Sequence, residues 1–416
     1  MTTDRPAPSR SRVPVFALLS ANAISLTGNM ASHVAIPWFV LETTGSAART
    51  GVTAFAGLLP IVLSGMFGGA LVDRLGYRRT SILADLASSG AVAAIPLLHS
   101  TIGLEFWQLV LLVFLGGLLD APGGTARGAL IPDVSRRAGW SLERGSGANA
   151  VVERAARLAG APLAGVLILV VGPTNILWID ATTFLVSAAG VALGVSRPAG
   201  RPRERKTRYV AELRAGYAFL RGDPTLASLV VMLSITNLLD AVSFVALPVY
   251  AERVYDSPVA LGAMIGAQGA GSVLGALAFA AVGHRTSRRR VFAWGFVFTA
   301  SWYPVAASFP PLAVLIAAKT IAGIASGPLN PVIDTVFFER VPDGMRARVL
   351  GVTQAAAWIA MPLGVLVAGA VIDVVGLRTT LVAVGALYLA VTLSATAVPA
   401  LRRLDERRTT VPTLAA

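Results

Sequence analysis

The chain has 416 residues, of which 55% are hydrophobic and only 14% charged, and its mean hydropathy is +0.69; a soluble domain carries about a quarter charged residues. So apolar a chain has too little polar surface to cover a water-soluble globule, and the lack of any cysteine excludes disulfides, thiolate zinc sites and iron–sulfur clusters. The net charge of +13 would suit a nucleic-acid surface if it were gathered on one face, but its distribution along the chain points elsewhere.

Crossing the hydrocarbon of a bilayer takes about 20 apolar residues. Runs of that length lie at 15–41, 51–72, 80–98, 106–131, 147–171, 174–196, 225–251, 259–283, 291–308, 312–337, 348–372 and 379–400, which predicts an all-α membrane protein with twelve spans. Three arginines precede the first run, as in a signal peptide. The run is too long for a signal core and eleven more follow, so it reads as an uncleaved anchor. An even number of spans puts both termini on one side. Of the 35 Lys and Arg, 28 fall in segments on that side, three (Arg49, Arg253, Arg378) on the other and four (Arg127, Arg154, Arg157, Lys319) inside spans. Basic loops stay in the cytoplasm. Both termini are therefore expected there, in a multi-pass protein of the inner (cytoplasmic) membrane. The charge is topology, the lipid bilayer is the expected partner, and no nucleic acid is.

The chain repeats itself. Residues 24–79 align on 235–290 without a gap, with fourteen of 56 positions identical, among them Pro37/Pro248, Ser46/Ser257, Gly51/Gly262 and Arg74, Arg78, Arg79 against Arg285, Arg289, Arg290. Further on, Ile131-Pro132-Asp133 mirrors Val341-Pro342-Asp343. This predicts two pseudo-symmetric six-helix bundles, 15–196 and 225–400, related as parallel repeats. A cytoplasmic tail (1–14), a linker (197–224) and a second tail (401–416) complete the chain. The linker begins basic and Pro-containing. It continues as RYVAELRAGYAFL, which puts Val210, Leu213, Tyr217 and Leu220 on one helical face, to lie on the membrane surface or against the bundle. A finer repeat sets GALVDRLGYR (69–78) at the end of span 2 against GAVIDVVGLR (369–378) at the end of span 11, as inverted three-helix units would.

The loop after span 2 contains Gly69, Leu71, Asp73, Arg74, Gly76, Arg78 and Arg79. It resembles the signature loop of the major facilitator superfamily, G-x-L-x-D-R-x-G-R-[RK], departing from it at Tyr77, where the pattern has Arg or Lys. The segments DAPGGTARGALIPD (120–133), AELRAGYAFLRGDPTL (211–226), RVPDGMRARVLG (340–351) and MPLGVLVAG (361–369) resemble the macrolide-efflux and siderophore-exporter branch of that superfamily. The resemblance covers nearly the whole chain. It implies a secondary transporter whose loop latches the two halves in one access state, with spans 1, 4, 7 and 10 around a central cavity. It also implies that Arg127 pairs with Asp73.

Charges inside spans cost at least about 2.5–3.5 kcal/mol at a helix centre, so they need partners or water. Glu153 and Arg157, four apart in span 5, can pair with each other, with Arg154 beside them. Asp240 in span 7 is the repeat mate of Asn29 in span 1, and Asp120 lies in span 4. Either carboxylate could take up a driving proton, the only coupling ion or cofactor expected. Lys319 is a counter-charge or snorkels outward, His33 could relay protons, and Asp180 and Asp334 are weaker candidates. In span 5, Gly160-Ala161-Pro162-Leu163-Ala164-Gly165 resembles the antiporter motif G-x-x-x-G-P-x-x-G-G, with two of its glycines replaced by alanine.

Two lysines, neither following Gly, exclude a phosphate-binding G-x-x-x-x-G-K-[ST] loop, and three scattered histidines make no H-E-x-x-H site. ATP-driven transport, a metal site and an enzyme are therefore not expected. The reading favoured is proton-driven export of a small hydrophobic or drug-like molecule by a monomer, with an uptake symporter on the same fold as the alternative. A non-transporting scaffold or sensor is a third reading, against which the buried carboxylates stand. In a chain without native cysteine, Thr207→Cys should resist an impermeant maleimide in intact cells while Ser46→Cys labels; the reverse pattern would invert the topology.

Overall fold

The computed structural model describes residues 11–196 and 209–405, with side chains except at 65–71, 73, 74, 209–212, 347, 396, 397 and 403. Six helices come first: α1 (Val13–Thr44), α2 (Ala47–Leu75), α3 (Tyr77–Thr101), α4 (Phe106–Ala138), α5 (Leu142–Val171) and α6 (Pro173–Gly194). The linker helix α7 (Tyr209–Gly222) leads to α8 (Pro224–Asp240), α9 (Ser243–Tyr255), α10 (Pro258–Val282), α11 (Arg288–Thr299), α12 (Trp302–Ala307), α13 (Leu312–Ser326) and α14 (Leu329–Arg340). The chain ends in α15 (Arg346–Ile359), α16 (Met361–Val375) and α17 (Leu377–Ala397). Among the described residues, eleven segments are long and apolar enough to cross a bilayer. The twelfth expected span, 291–308, is not one continuous helix but the short pair α11 and α12.

The chain divides into two compact units, Met1–Phe39 with Ala56–Arg205, and Val40–Phe55 with Lys206–Ala416. The tip of the α1–α2 hairpin thus belongs to the second unit.

Three of the joints at which consecutive helices are separated by a single residue are made by glycine. Gly76 (α2 to α3), Gly172 (α5 to α6) and Gly376 (α16 to α17) have φ of 80, 81 and 86°, a region that a Cβ disfavours. Each lets one helix end and the next begin at once, and Gly76 and Gly376 are the glycines that the inverted repeat pairs.

In the first unit α3 packs on both α4 and α6. A Cβ on Gly123 of α4 would meet that of Ala84 on α3 at 2.9 Å, so the helices touch where the side chains are smallest. In the second unit α10 and α13 come closer still. A Cβ on Gly275 would lie 2.8 Å from the backbone carbon of Ile324, and Gly271, Gly323 and Gly327 are likewise pressed against the facing backbone. Several spans here are interrupted. The α13–α14 break falls at Gly327-Pro328, where Pro lacks the N–H that would continue the ladder; α8 gives way to α9 at Ala241–Val242 through i→i+3 bonds.

The linker helix packs against α15 and α8. Leu220 is buried and Gly216 lies against the Arg348 backbone and Val352, whereas Tyr217 is exposed. The inward stripe is thus Gly216 and Leu220, with Leu213 half-buried. Of the face expected from sequence, Leu213 and Leu220 turn inward and Tyr217 does not, its place being taken by Gly216, because a glycine that admits a neighbouring backbone does not register as apolar; the side chain of Val210 lies outside the described residues. Replacing Gly275 by Leu should destabilise the detergent-solubilised protein by about 1–3 kcal/mol through overpacking. Gly128→Leu, with nothing within 4 Å of its Cβ position, should leave the melting temperature unchanged.

Candidate functional site

The first unit buries one guanidinium among acceptors. Arg127 on α4 is 2% exposed. Its Nη1 donates to Asp85 Oδ1 (2.5 Å), its Nε donates to Asn22 Oδ1 (3.1 Å), and its Nη2 lies 3.6 Å from Asp120 Oδ1. Each of these partners is held in turn. Ser187 on α6 donates to Asp85 Oδ2 at 2.7 Å, and Asn29 donates to Asp120 Oδ2 at 2.7 Å. Asn22 donates to Asn149, which donates to Glu153 at 2.8 Å. The network ties α1, α3, α4, α5 and α6 together and sets two carboxylates against one cation.

Several expectations change here. The partners of Arg127 among the described side chains are Asp85, Asp120 and Asn22; the side chain of Asp73, the partner expected from the resemblance, lies outside the described residues, as do that of Arg74 and the surroundings of Gly69. Asp85 gave no sequence signal, since it sits near the start of span 3 with no motif around it. Only its burial at 0% exposure beside Arg127 reveals it. Glu153 makes no salt bridge to Arg157; its Oε1 accepts from Asn149, one turn earlier, and Arg154, Arg157 and His33 are exposed. Asp180 is buried, accepting from Ser32 (2.5 Å) and Thr183 (3.2 Å). Gly160 is pressed on Met30, so this glycine of the α5 motif serves close packing of α5 on α1; Gly165 is buried and Pro162 partly so.

The described part of the loop acts as a clasp within this unit. Arg78 donates from Nε to the Val195 carbonyl (2.6 Å) and from Nη2 to the Ala192 carbonyl (2.5 Å), satisfying carbonyls at the C-terminal end of α6. Tyr77, the departure from the family pattern, packs on the apolar cluster of Val15, Leu18 and Val191, while Arg79 is exposed.

The second unit holds a different cluster at the α8–α9 break. Tyr388 donates to Asp240 Oδ2 (3.3 Å), and Tyr303 bridges the Leu239 carbonyl (3.1 Å) and Ser243 (3.2 Å). Lys319 is fully buried, its Nζ 4.1 Å from the centre of the Trp302 ring and without a hydrogen-bond acceptor among the described residues. It does not snorkel; an aromatic face and the field of Asp240 stand in for water. Asp334 is exposed on α14 and joins neither cluster. Thus Asn29 with Asp120, and Asp240 with Lys319, lie in two separate polar clusters, one in each unit.

A bundle of spans with charges held inside is what a transporter requires, and sequence comparison decides the family. The family described as transmembrane secretion effector matches residues 6–413. The chain belongs to this family of the major facilitator superfamily. Its relatives include the multidrug efflux pump Tap of Mycobacterium tuberculosis (strain ATCC 25618 / H37Rv), 33% identical over 401 residues, covering 95% of this chain and 96% of the relative. Macrolide efflux protein A of Streptococcus pyogenes is 21% identical, covering 95% and 98%. Among solved structures, the nucleoside transporter NupG superposes with a TM-score of 0.77 at 11% identity, covering 92% of this chain and 98% of the other. A bacterial homologue of the human lysosomal transporter Spinster superposes at 0.74 and 16%, covering 98% and 100%. These two likenesses establish the fold. As a secretion effector of this superfamily the chain is a membrane transporter of small molecules and not an enzyme. The buried network makes a specific demand: Arg127→Gln should cost about 3–5 kcal/mol of stability by stranding carboxylates, and adding Asp85→Asn should recover part of it in a double-mutant cycle read by thermal unfolding in detergent.

Proposed function

We propose that this chain exports small hydrophobic, drug-like molecules across the cytoplasmic membrane in exchange for protons, as a monomer with both termini in the cytoplasm. Efflux as the direction, and drugs as the cargo, draw support from the multidrug and macrolide pumps among the relatives, one of them 33% identical over most of the chain. The observation that carries the coupling is Asp240. It ends α8 inside a span, at a break in the helix, with Tyr388 as its only hydrogen-bond donor among the described residues and Lys319 as its neighbouring cation. Interrupted helices at mid-membrane are where transporters of inverted-repeat construction place coupling ions.

A carboxylate there holds its charge only while water or a cation faces it. A change of access changes its hydration, and a proton can bias the two access states only by binding them unequally. Asp120 is the alternative, since it shares Arg127 with Asp85 and one cation leaves one carboxylate uncompensated. A non-transporting scaffold would have no use for either cluster.

The test uses proteoliposomes with an imposed pH difference and a macrolide as the first probe, chosen after a screen of drug accumulation in cells with and without the gene. Asp240→Asn should still exchange the macrolide but, with an imposed difference of about one pH unit, accumulate it about tenfold less against a gradient, because one proton moving down one pH unit supplies about 1.4 kcal/mol, a factor of ten. Full gradient-driven accumulation by both Asp240→Asn and Asp120→Asn would overturn the coupling.

A further inference from the structure

We infer that Asp373 is the latch of a second gate, which holds the α1–α2 turn on α16 in this conformation and must release for the opposite access state. The inference rests on the alternating-access reading above and adds a residue that it does not use.

Asp373 lies in the last turn of α16, just before the Gly376 joint. Its Oδ2 accepts from Ser46 Oγ (2.8 Å) and from the Ala48 backbone N–H (2.8 Å). Its Oδ1 accepts from the Ala47 N–H (3.1 Å) and from Arg253 Nη2 (3.3 Å), and that same nitrogen donates to the Gly45 carbonyl (2.9 Å). One carboxylate therefore takes up free N–H groups in the first turn of α2 and sits at the positive end of its dipole. The cap comes from another helix, more than 300 residues away along the chain. Behind it the backbones touch: a Cβ on Gly51 would fall 2.7 Å from the Val365 carbonyl oxygen and 3.1 Å from the Gly369 Cα. These contacts place residues 40–55 in the second unit although the rest of α1 and α2 belongs to the first.

Two features mark the joint as a latch rather than a fixed cap. Asp373 and Arg253 remain 29% and 35% exposed, so water can replace their partners at small cost. The glycine pair lets the helices separate without leaving side chains unpacked. The sequence carries the same set twice: 369–378 repeats 69–78, and Asp373 occupies the place of Asp73 in the loop that marks the superfamily. The fold thus has an acidic residue at the corresponding joint at both ends of its inverted repeat.

Thr50, one turn into α2, is fully buried under this joint. In a chain free of native cysteine, Thr50→Cys is a single reporter, read as the rate of maleimide labelling of purified protein in detergent, with no substrate or pH gradient. Asp373→Asn should raise that rate at least about fivefold, the typical effect of losing one helix cap, and Arg253→Gln should raise it less. Thr225→Cys, also buried but at the start of α8, should stay protected in both. An unchanged Thr50→Cys rate in both variants would overturn the latch, as would an equal rise at Thr225→Cys, which signals general loosening. If Asp373→Asn is not recovered folded, Arg253→Gln decides alone. Failure of drug–proton exchange is a separate result, since this readout needs neither.

Discussion

A guanidinium shut away from water must find acceptors for its donors inside the protein, and in the first unit that requirement fixes where the helices stand. Arg127 carries five N–H donors in a rigid plane, and Asp85, Asp120 and Asn22 converge on it from α3, α4 and α1. Those acceptors bring further donors with them, Ser187 from α6 and Asn29 from α1, while Asn22 and Asn149 extend the chain to Glu153 on α5. Between helices in lipid there is no hydrophobic force to choose one packing over another. A buried charge chooses, because any arrangement that leaves it unpaired costs several kcal/mol.

The second unit meets the same problem with fewer polar groups. Lys319 rests on the face of Trp302 and has Asp240 as its compensating charge. Tyr303 and Tyr388 occupy the Leu239 carbonyl and the Asp240 carboxylate. This cluster surrounds helix breaks at Ala241–Val242 and Ala300–Ser301. The first unit is thus a tightly bonded network on continuous helices, and the second a sparser one on interrupted helices. An interrupted helix beside an under-bonded lysine can rearrange more easily than a network whose acceptors are already occupied.

Small residues set where the spans can slide or turn. Gly271, Gly275, Gly323 and Gly327 bring α10 and α13 into backbone contact, and Gly76, Gly172 and Gly376 make one-residue joints between consecutive spans. At the first of these joints Arg78 ties the start of α3 to the end of α6. Tyr77 adds apolar packing where the family pattern has a cation. The loop is therefore anchored within its own unit by its second half.

The spans, their number to within one broken helix, and the superfamily could be read from sequence, because each depends on local quantities: hydropathy over about 20 residues and a contiguous loop motif. The broken span at 291–308 was not legible, since a helix interruption leaves mean hydropathy unchanged. Asp120, Asp240, Arg127 and Lys319 stood out because charge in a span is rare. Their partners did not, because pairing depends on which helix faces which across 42 to 148 residues of chain. Asp85 shows this most plainly: nothing beside it in sequence marks it, and its role exists only because α3 and α4 pack with Ala84 against Gly123, one position from the carboxylate. Asp373 is the opposite case. The sequence showed it as a repeat of Asp73, but only the tertiary structure brought the first turn of α2 to its carboxylate. A carboxylate's chemistry belongs to its residue type, and the donors it meets belong to the fold.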